Sequence, residues 1–227
     1  MAKRVLIVVT NVGHYDDPNH KTGLWLTELT HGLEVFLAAG IECRLVSPAG
    51  GAVPIEPRSL KRPNVDRSAL AWLESPDGQA RLTDTARPDE VQAADFDGIY
   101  FTGGHAVMFD FRDSEGLQAL TREIHEGGGA VGAVCHGYCG LLDVTLSNGS
   151  PLIAGRKMTG FSWSEEVLAG VARAVPYNAE AEARAHGALY EKALIPFVPK
   201  AVVDGRLVTG QNPASAHITA KRFAALL

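Results

Sequence analysis

Cysteine is scarce. Cys43, Cys135 and Cys139 are the only three in a chain of 227 residues. So few thiols make no disulfide framework of the kind that holds small secreted domains together, and reduced thiols in a cytoplasmic setting are expected. Long apolar runs are missing too: nothing approaches the roughly 18 residues that a membrane span needs. The opening run Val5 to Val9 is too short for a signal sequence and polar residues follow it at once. Positive charge is not in excess, since 21 Lys and Arg against 26 Asp and Glu leave a net charge of −5. That balance argues against nucleic acid or a membrane surface as partner. There is no P-loop, no dinucleotide-binding fingerprint and no H-E-x-x-H pair, so neither a nucleotide cofactor nor a metal is expected. The scattered His14, His20, His31 and His105 lack ligand spacing. What is present, 46% hydrophobic and 21% charged residues without a compositional break, reads as one globular domain over 1–227.

The order of elements is alternating. Val5 to Val9 has the continuous apolar character of a strand covered on both faces. Leu26, Leu29, Leu33 and Phe36 have helical spacing within 22–39, and Gly40 is a stop signal. A strand at 42–47 completes a β-α-β opening, which predicts a right-handed parallel crossover. Further strands are expected at 97–101 and 130–134, helices at 66–82 and 115–126, a hairpin about Gly205 and a closing helix at 213–227. Strand–helix alternation throughout predicts an α/β fold with a mostly parallel sheet.

In such a sheet ligands bind beyond the carboxyl ends of the strands. Three polar segments follow strands directly, 11–21, 102–105 and 135–137, and should meet on one rim. In Ala133-Val-Cys-His-Gly137 a cysteine stands at a strand end before a helical stretch. A tight strand–turn–helix would expose Cys135 as a nucleophile, and a helix N-terminus would lower its thiol pKa below the free value of about 8.5. A small buried hydrophobe is the competing reading of the same residue. Gly103 and Gly104 could turn backbone N–H groups toward a substrate oxygen or form an ordinary turn, with His105 beside them and the His136 N–H as second donor. Glu28 lies about 100° from the Leu29–Leu33–Phe36 stripe at 3.6 residues per turn, at the edge of the buried face, where its carboxyl could reach under the rim, and a solvated surface glutamate is the competing reading. Cys43 is expected to be inert in a core strand, Cys139 to pack, and His125 and His186 to be solvated.

Gly103-Gly-His105, Ala133-Val-Cys-His-Gly137 and Thr209-Gly-Gln-Asn-Pro-Ala-Ser-Ala-His217 together resemble the ThiJ/PfpI superfamily, in its glyoxalase III and heat-shock chaperone branch. The likeness extends over Pro57-Arg-Ser-Leu60, Phe109-Asp110, Pro151-Leu-Ile153 and Thr159-Gly-Phe161. It implies a flavodoxin-like three-layer sandwich with helices on both faces of the sheet. It also implies a cofactor-free, glutathione-independent glyoxalase that converts methylglyoxal, a small 2-oxoaldehyde, to lactate, and a homodimer. Holdase chaperone or protein deglycase activity is the alternative, and cysteine peptidase or amidase a weaker one. By the resemblance Cys135 is the nucleophile, His136 the catalytic histidine and Glu28 the acid beside the thiol. Glu166, or the adjacent Glu165, is the third acid. Two departures stand out: Tyr138 takes the place of the proline that often follows Cys-His-Gly, and the long N-terminal extension that helps build the metal site of the bacterial chaperone form is lacking.

Overall fold

A computed structural model describes residues 2–227. Six strands form the main sheet: β1 (Arg4–Val8), β2 (Glu42–Val46), β3 (Gly98–Phe101), β4 (Ala130–Val134), β7 (Ala201–Asp204) and β8 (Leu207–Gly210), in the order β2-β1-β3-β4-β8-β7. All neighbours are parallel except the β7–β8 hairpin. A short parallel pair, β5 (Lys157–Met158) with β6 (Leu189–Tyr190), stands apart.

Strand alternation sorts the apolar residues into two layers. Val5, Ile7, Tyr100 and Val208 pack on one side with Leu29, Leu33 and Phe36 of α1 (Leu26–Ala38) and Ala216, Ala220 and Phe223 of α7 (Ala216–Ala224). Leu6, Val8, Ile99, Phe101 and Val131 pack on the other with Leu117, Leu120 and Ile124 of α4 (Glu115–Glu126), and with Ala179 and Ala183 of α6 (Ala179–Ala185). The result is an α/β fold with a mostly parallel sheet, as the alternation of elements predicts, in the three layers that the resemblance implies.

The helical boundaries differ from expectation in several places, and two of these have a clear physical cause. The first helix starts at Leu26 and not at Thr22, because the chain before it is held extended: Leu24 N–H donates to Pro54 O at 2.8 Å, and Glu56 N–H donates to Leu24 O at 3.0 Å. The stretch 66–82 forms two helices, α2 (Arg67–Glu74) and α3 (Pro76–Thr83), since the residue before a proline is pushed out of helical geometry. Ser75 there caps the second by accepting from Gly78 N–H at 3.0 Å. Cys43 lies on β2 at the sheet's edge and is half-buried, not in the core, although burial still pushes its thiol up to about 12. His125 is half-buried with an unpartnered Nδ1, not solvated, and burial lowers its pKa.

Candidate active site

The parallel strands β3 and β4 end side by side, so the turns after them, 102–105 and 135–137, share one rim. Cys135 takes φ +57°, a left-handed conformation that a side-chain-bearing residue rarely adopts. It forms a strained elbow between β4 and the 3₁₀ turn Cys135–Leu141. The elbow is pinned by Phe161 N–H donating to Cys135 O at 3.1 Å. A Cβ at position 137 would lie 2.5 Å from the Phe101 carbonyl oxygen, so only glycine lets the turn pass that close to β3.

Sγ of Cys135 lies 3.4 Å from Nδ1 of His136. Nε2 of His136 meets Oε2 of Glu166 at 2.7 Å, and Nε2 of His105 meets Oε1 of the same carboxylate at 2.8 Å. Glu166 sits in the first turn of α5 (Trp163–Leu168). Burial acts to raise its pKa, yet the two imidazoles outweigh burial and hold it well below the usual carboxylate range. The neighbouring Glu165 is turned away. It accepts from Ser162 N–H at 3.0 Å, Phe197 N–H at 2.8 Å and Asn212 Nδ2 at 2.9 Å, which makes it a helix cap and loop anchor.

Glu28 is fully buried, deeper than the edge position its helical spacing suggests. The start of α1 is tied to the β3 turn by Trp25 N–H donating to Gly103 O at 3.0 Å. This carries Oε2 of Glu28 to 2.8 Å from the Gly103 N–H. Burial pushes the carboxyl up to about 8, against weaker downward pulls from Cys135 and the Gly103 N–H. At neutral pH Glu28 therefore holds a proton, and Oε1, otherwise unpartnered among the described residues, is the oxygen free to carry it beside the thiol.

Two expectations are corrected here. The Cys135 thiol is raised well above its ordinary value, not lowered: burial dominates, the Glu28 carboxyl adds to it, and the His136 N–H only partly offsets them. The seven-residue 3₁₀ turn behind it has too short a dipole to reverse that. The resting site thus holds a neutral thiol whose proton His136 can take. Gly103 is not a free oxyanion donor, because its N–H is bonded to Glu28. Gly104, at φ +108°, makes no backbone hydrogen bond from its N–H among the described residues and lines the same cavity as Cys135 and His136, and the His136 N–H points toward Sγ. His105 has both ring nitrogens engaged, Nε2 by Glu166 and Nδ1 by Arg58.

A cavity of about 410 Å³ opens over Cys135, with Trp25, Arg58, Asp66, Phe161 and Phe197 among its walls. Tyr138, at the departure from the family pattern, is not among the cavity's lining residues: it is fully buried and donates to Phe161 O at 3.2 Å. Cys139 packs on the opposite side of the sheet from Cys135, and both are free thiols. His105, His136 and Glu166 are the side chains best placed to hold a metal ion. The ligand atoms in question are already paired with one another, so an ion would have to break both histidine–carboxylate bonds.

Arg58, Glu56 and Tyr15 contribute to the site without a sequence signal of their own. Arg58 Nε donates to Oε1 of Glu56 at 2.9 Å, and the two N–H groups of its Nη2 are shared among Oε2 of Glu56 at 2.9 Å, the Tyr15 hydroxyl at 2.8 Å and His105 Nδ1 at 2.9 Å. The Pro57-Arg58 pair within a family-like motif was the one available hint, since loop residues carry no periodicity.

A model described as the DJ-1/PfpI family matches residues 22–225. The chain is 34% identical to glutathione-independent glyoxalase HSP31 of Saccharomyces cerevisiae, over 97% of this chain and 96% of that protein. Among solved structures, rapid encystment protein 24 kDa of Francisella tularensis superposes with a TM-score of 0.94 at 32% identity, covering 99% of this chain and 98% of that one. Glyoxalase III of Candida albicans superposes with a TM-score of 0.90 at 28% identity, covering 99% and 97%.

Proposed function

The chain belongs to the DJ-1/PfpI family, and from that premise we propose that it is a glutathione-independent glyoxalase, a cofactor-free enzyme that converts methylglyoxal to lactate. The observation that carries the reading is a thiol 3.4 Å from an imidazole that is itself held at 2.7 Å by a buried carboxylate, with the buried carboxyl of Glu28 beside the sulfur. The whole-length likeness to proteins named glyoxalases supports it.

His136 takes the thiol proton as Sγ adds to the aldehyde carbon, and Glu166 stabilises the imidazolium that results. The alkoxide of the hemithioacetal faces the N–H groups of Gly104 and His136. The alkoxide takes the proton back from His136, which as the neutral base then removes the hydrogen from the former aldehyde carbon while Glu28, entering as the acid, protonates the ketone oxygen to give an enediol. His136 returns its proton to the neighbouring carbon and Glu28 takes back the hydroxyl proton of the former aldehyde carbon, which leaves a 2-hydroxy thioester on Cys135. Water cleaves the thioester, releasing the hydroxy acid and the free thiol. Every electron moved stays within the substrate carbons, so the reaction needs no oxidant and no glutathione.

The same reading takes residues 1–227 as one domain, in a cytoplasmic setting, and a homodimer. Exposed Leu194, Ile195 and Phe197 offer apolar surface for a second copy or, on the alternative reading as a holdase chaperone, for unfolded chains. One experiment separates enzyme from holdase: methylglyoxal turnover without glutathione, together with suppression of aggregation of a heated client, for wild type and Cys135→Ala. Loss of turnover with Cys135→Ala supports the glyoxalase; wild type without turnover sinks it.

A further inference from the structure

Arg58 enters the buried part of the site from the Pro57–Leu60 turn. A guanidinium has only N–H donors and no lone pair with which to accept. The 2.9 Å contact between its Nη2 and Nδ1 of His105 therefore requires Nδ1 to be the acceptor. The ring proton of His105 is then on Nε2, where it donates to Oε1 of Glu166. A second proton has no place on His105 while a cation occupies the Nδ1 lone pair. The titratable and charged groups that face this ring are Arg58, Glu166, His136, at 4.5 Å between ring centroids, and Tyr15, at 6.1 Å, with Glu56 behind Arg58. Of these only Glu166 favours a charged His105 by direct contact.

We propose that Arg58 is a positioning residue that keeps His105 neutral, so that the single negative charge of Glu166 is available to His136 when it takes the Cys135 proton. Two imidazoles compete for one carboxylate. If His105 were charged, the carboxylate of Glu166 would already be paired with that charge when the thiol proton moved, and the imidazolium formed at His136 would have to share it. The guanidinium fork, itself held by both oxygens of Glu56 and by Tyr15, settles the competition for His136. His105 is pushed down to about 4, first by burial, then by His136 and last by Arg58, against the upward pull of Glu166.

Histidine ¹⁵N chemical shifts read the tautomer directly. In the wild type His105 should be neutral with its proton on Nε2 throughout pH 5.5–8; a His105 that titrates near the free value of about 6.5, or that carries Nδ1–H, overturns the proposal without any variant. In Arg58→Leu, and in the milder Arg58→Gln should that chain fold poorly, the His105 midpoint should rise by about one unit or more. The acidic limb of the pH profile for Cys135 alkylation by iodoacetamide should move with it. In a His105→Gln background the amide can donate to Glu166 but cannot titrate, so Arg58→Leu should leave that limb where it is; an equal displacement in both backgrounds refutes the relay. The proposal rests on the Cys-His-acid reading of the site, but none of these readouts uses a substrate. A relay that passes them in a chain without methylglyoxal turnover would sink the glyoxalase alone.

Discussion

Replacing Glu28 with glutamine should make the protein more stable while removing its activity. The carboxyl is buried and its pKa is raised from 4.5 to about 8. As pH rises from 4.5, the unfolded chain releases this proton and the folded chain keeps it, so folding stability falls through that window and levels off above 8. One pKa unit corresponds to about 1.36 kcal/mol, so Glu28 costs the wild type about 3 kcal/mol at pH 7 and about 5 kcal/mol above pH 8. Glutamine has nearly the same shape, can still accept from the Gly103 N–H and never ionises. Glu28→Gln should therefore gain up to about 3 kcal/mol at pH 7, or roughly 6–12 °C in Tm for a chain of this size, and less than about 1 kcal/mol at pH 5. Urea titrations at pH 5, 7 and 8.5 measure the gain, and methylglyoxal turnover measures the loss, expected at roughly 10²-fold or more for a missing general acid. A variant no more stable than wild type at pH 7, or one whose gain is the same at pH 5 and pH 8.5, would refute the reasoning from buried charge. Undiminished turnover would reduce Glu28 to a structural residue.

Turnover of the wild type should fall as pH rises through about 8, where Glu28 loses the proton it supplies, and a kcat profile flat to pH 10 would contradict that role. Glu166→Gln puts an NH₂ group against one of two buried imidazole N–H donors, so it should cost roughly 10²-fold or more in kcat as well as about 1–3 kcal/mol of stability. Glu165→Gln should lower stability by a similar amount through its lost cap and loop bonds while leaving kcat within a few-fold; steady-state kinetics in which Glu165→Gln is the crippling change would exchange the two roles. Gly137→Ala, with its Cβ against the Phe101 carbonyl, should destabilise by about 1–3 kcal/mol and slow Cys135 alkylation, and a variant with wild-type melting and labelling would show that the elbow can shift.

Strand and helix identity was legible wherever one physical signal acted alone. The doubly covered strands β1, from Val5 on, and β4 are apolar without interruption, and α1 and α4 carry a one-sided apolar stripe. Misjudged boundaries lie where a second effect intervenes: the extended pairing of Leu24 with Ile55 before α1, and Pro76 within the stretch expected as one helix. Cys43 illustrates a limit of another kind, since a short apolar strand reads alike at the centre and at the edge of a sheet.

Residues adjacent in the chain are already neighbours, so the sequence by itself determined the α/β class, the strand ends that carry the chemistry, and the Cys135-His136 pair. Tertiary structure decided what depends on residues far apart in sequence and on exclusion of water. Glu28 meets Gly103 across 75 positions, His105 meets Glu166 across 61, and Arg58 meets His105 across 47. Which of two adjacent glutamates faces the imidazoles depends on the rotation of α5, which only packing fixes. The thiol's direction of shift was reversed by burial, because a charge loses far more on leaving water than a short helical turn can return.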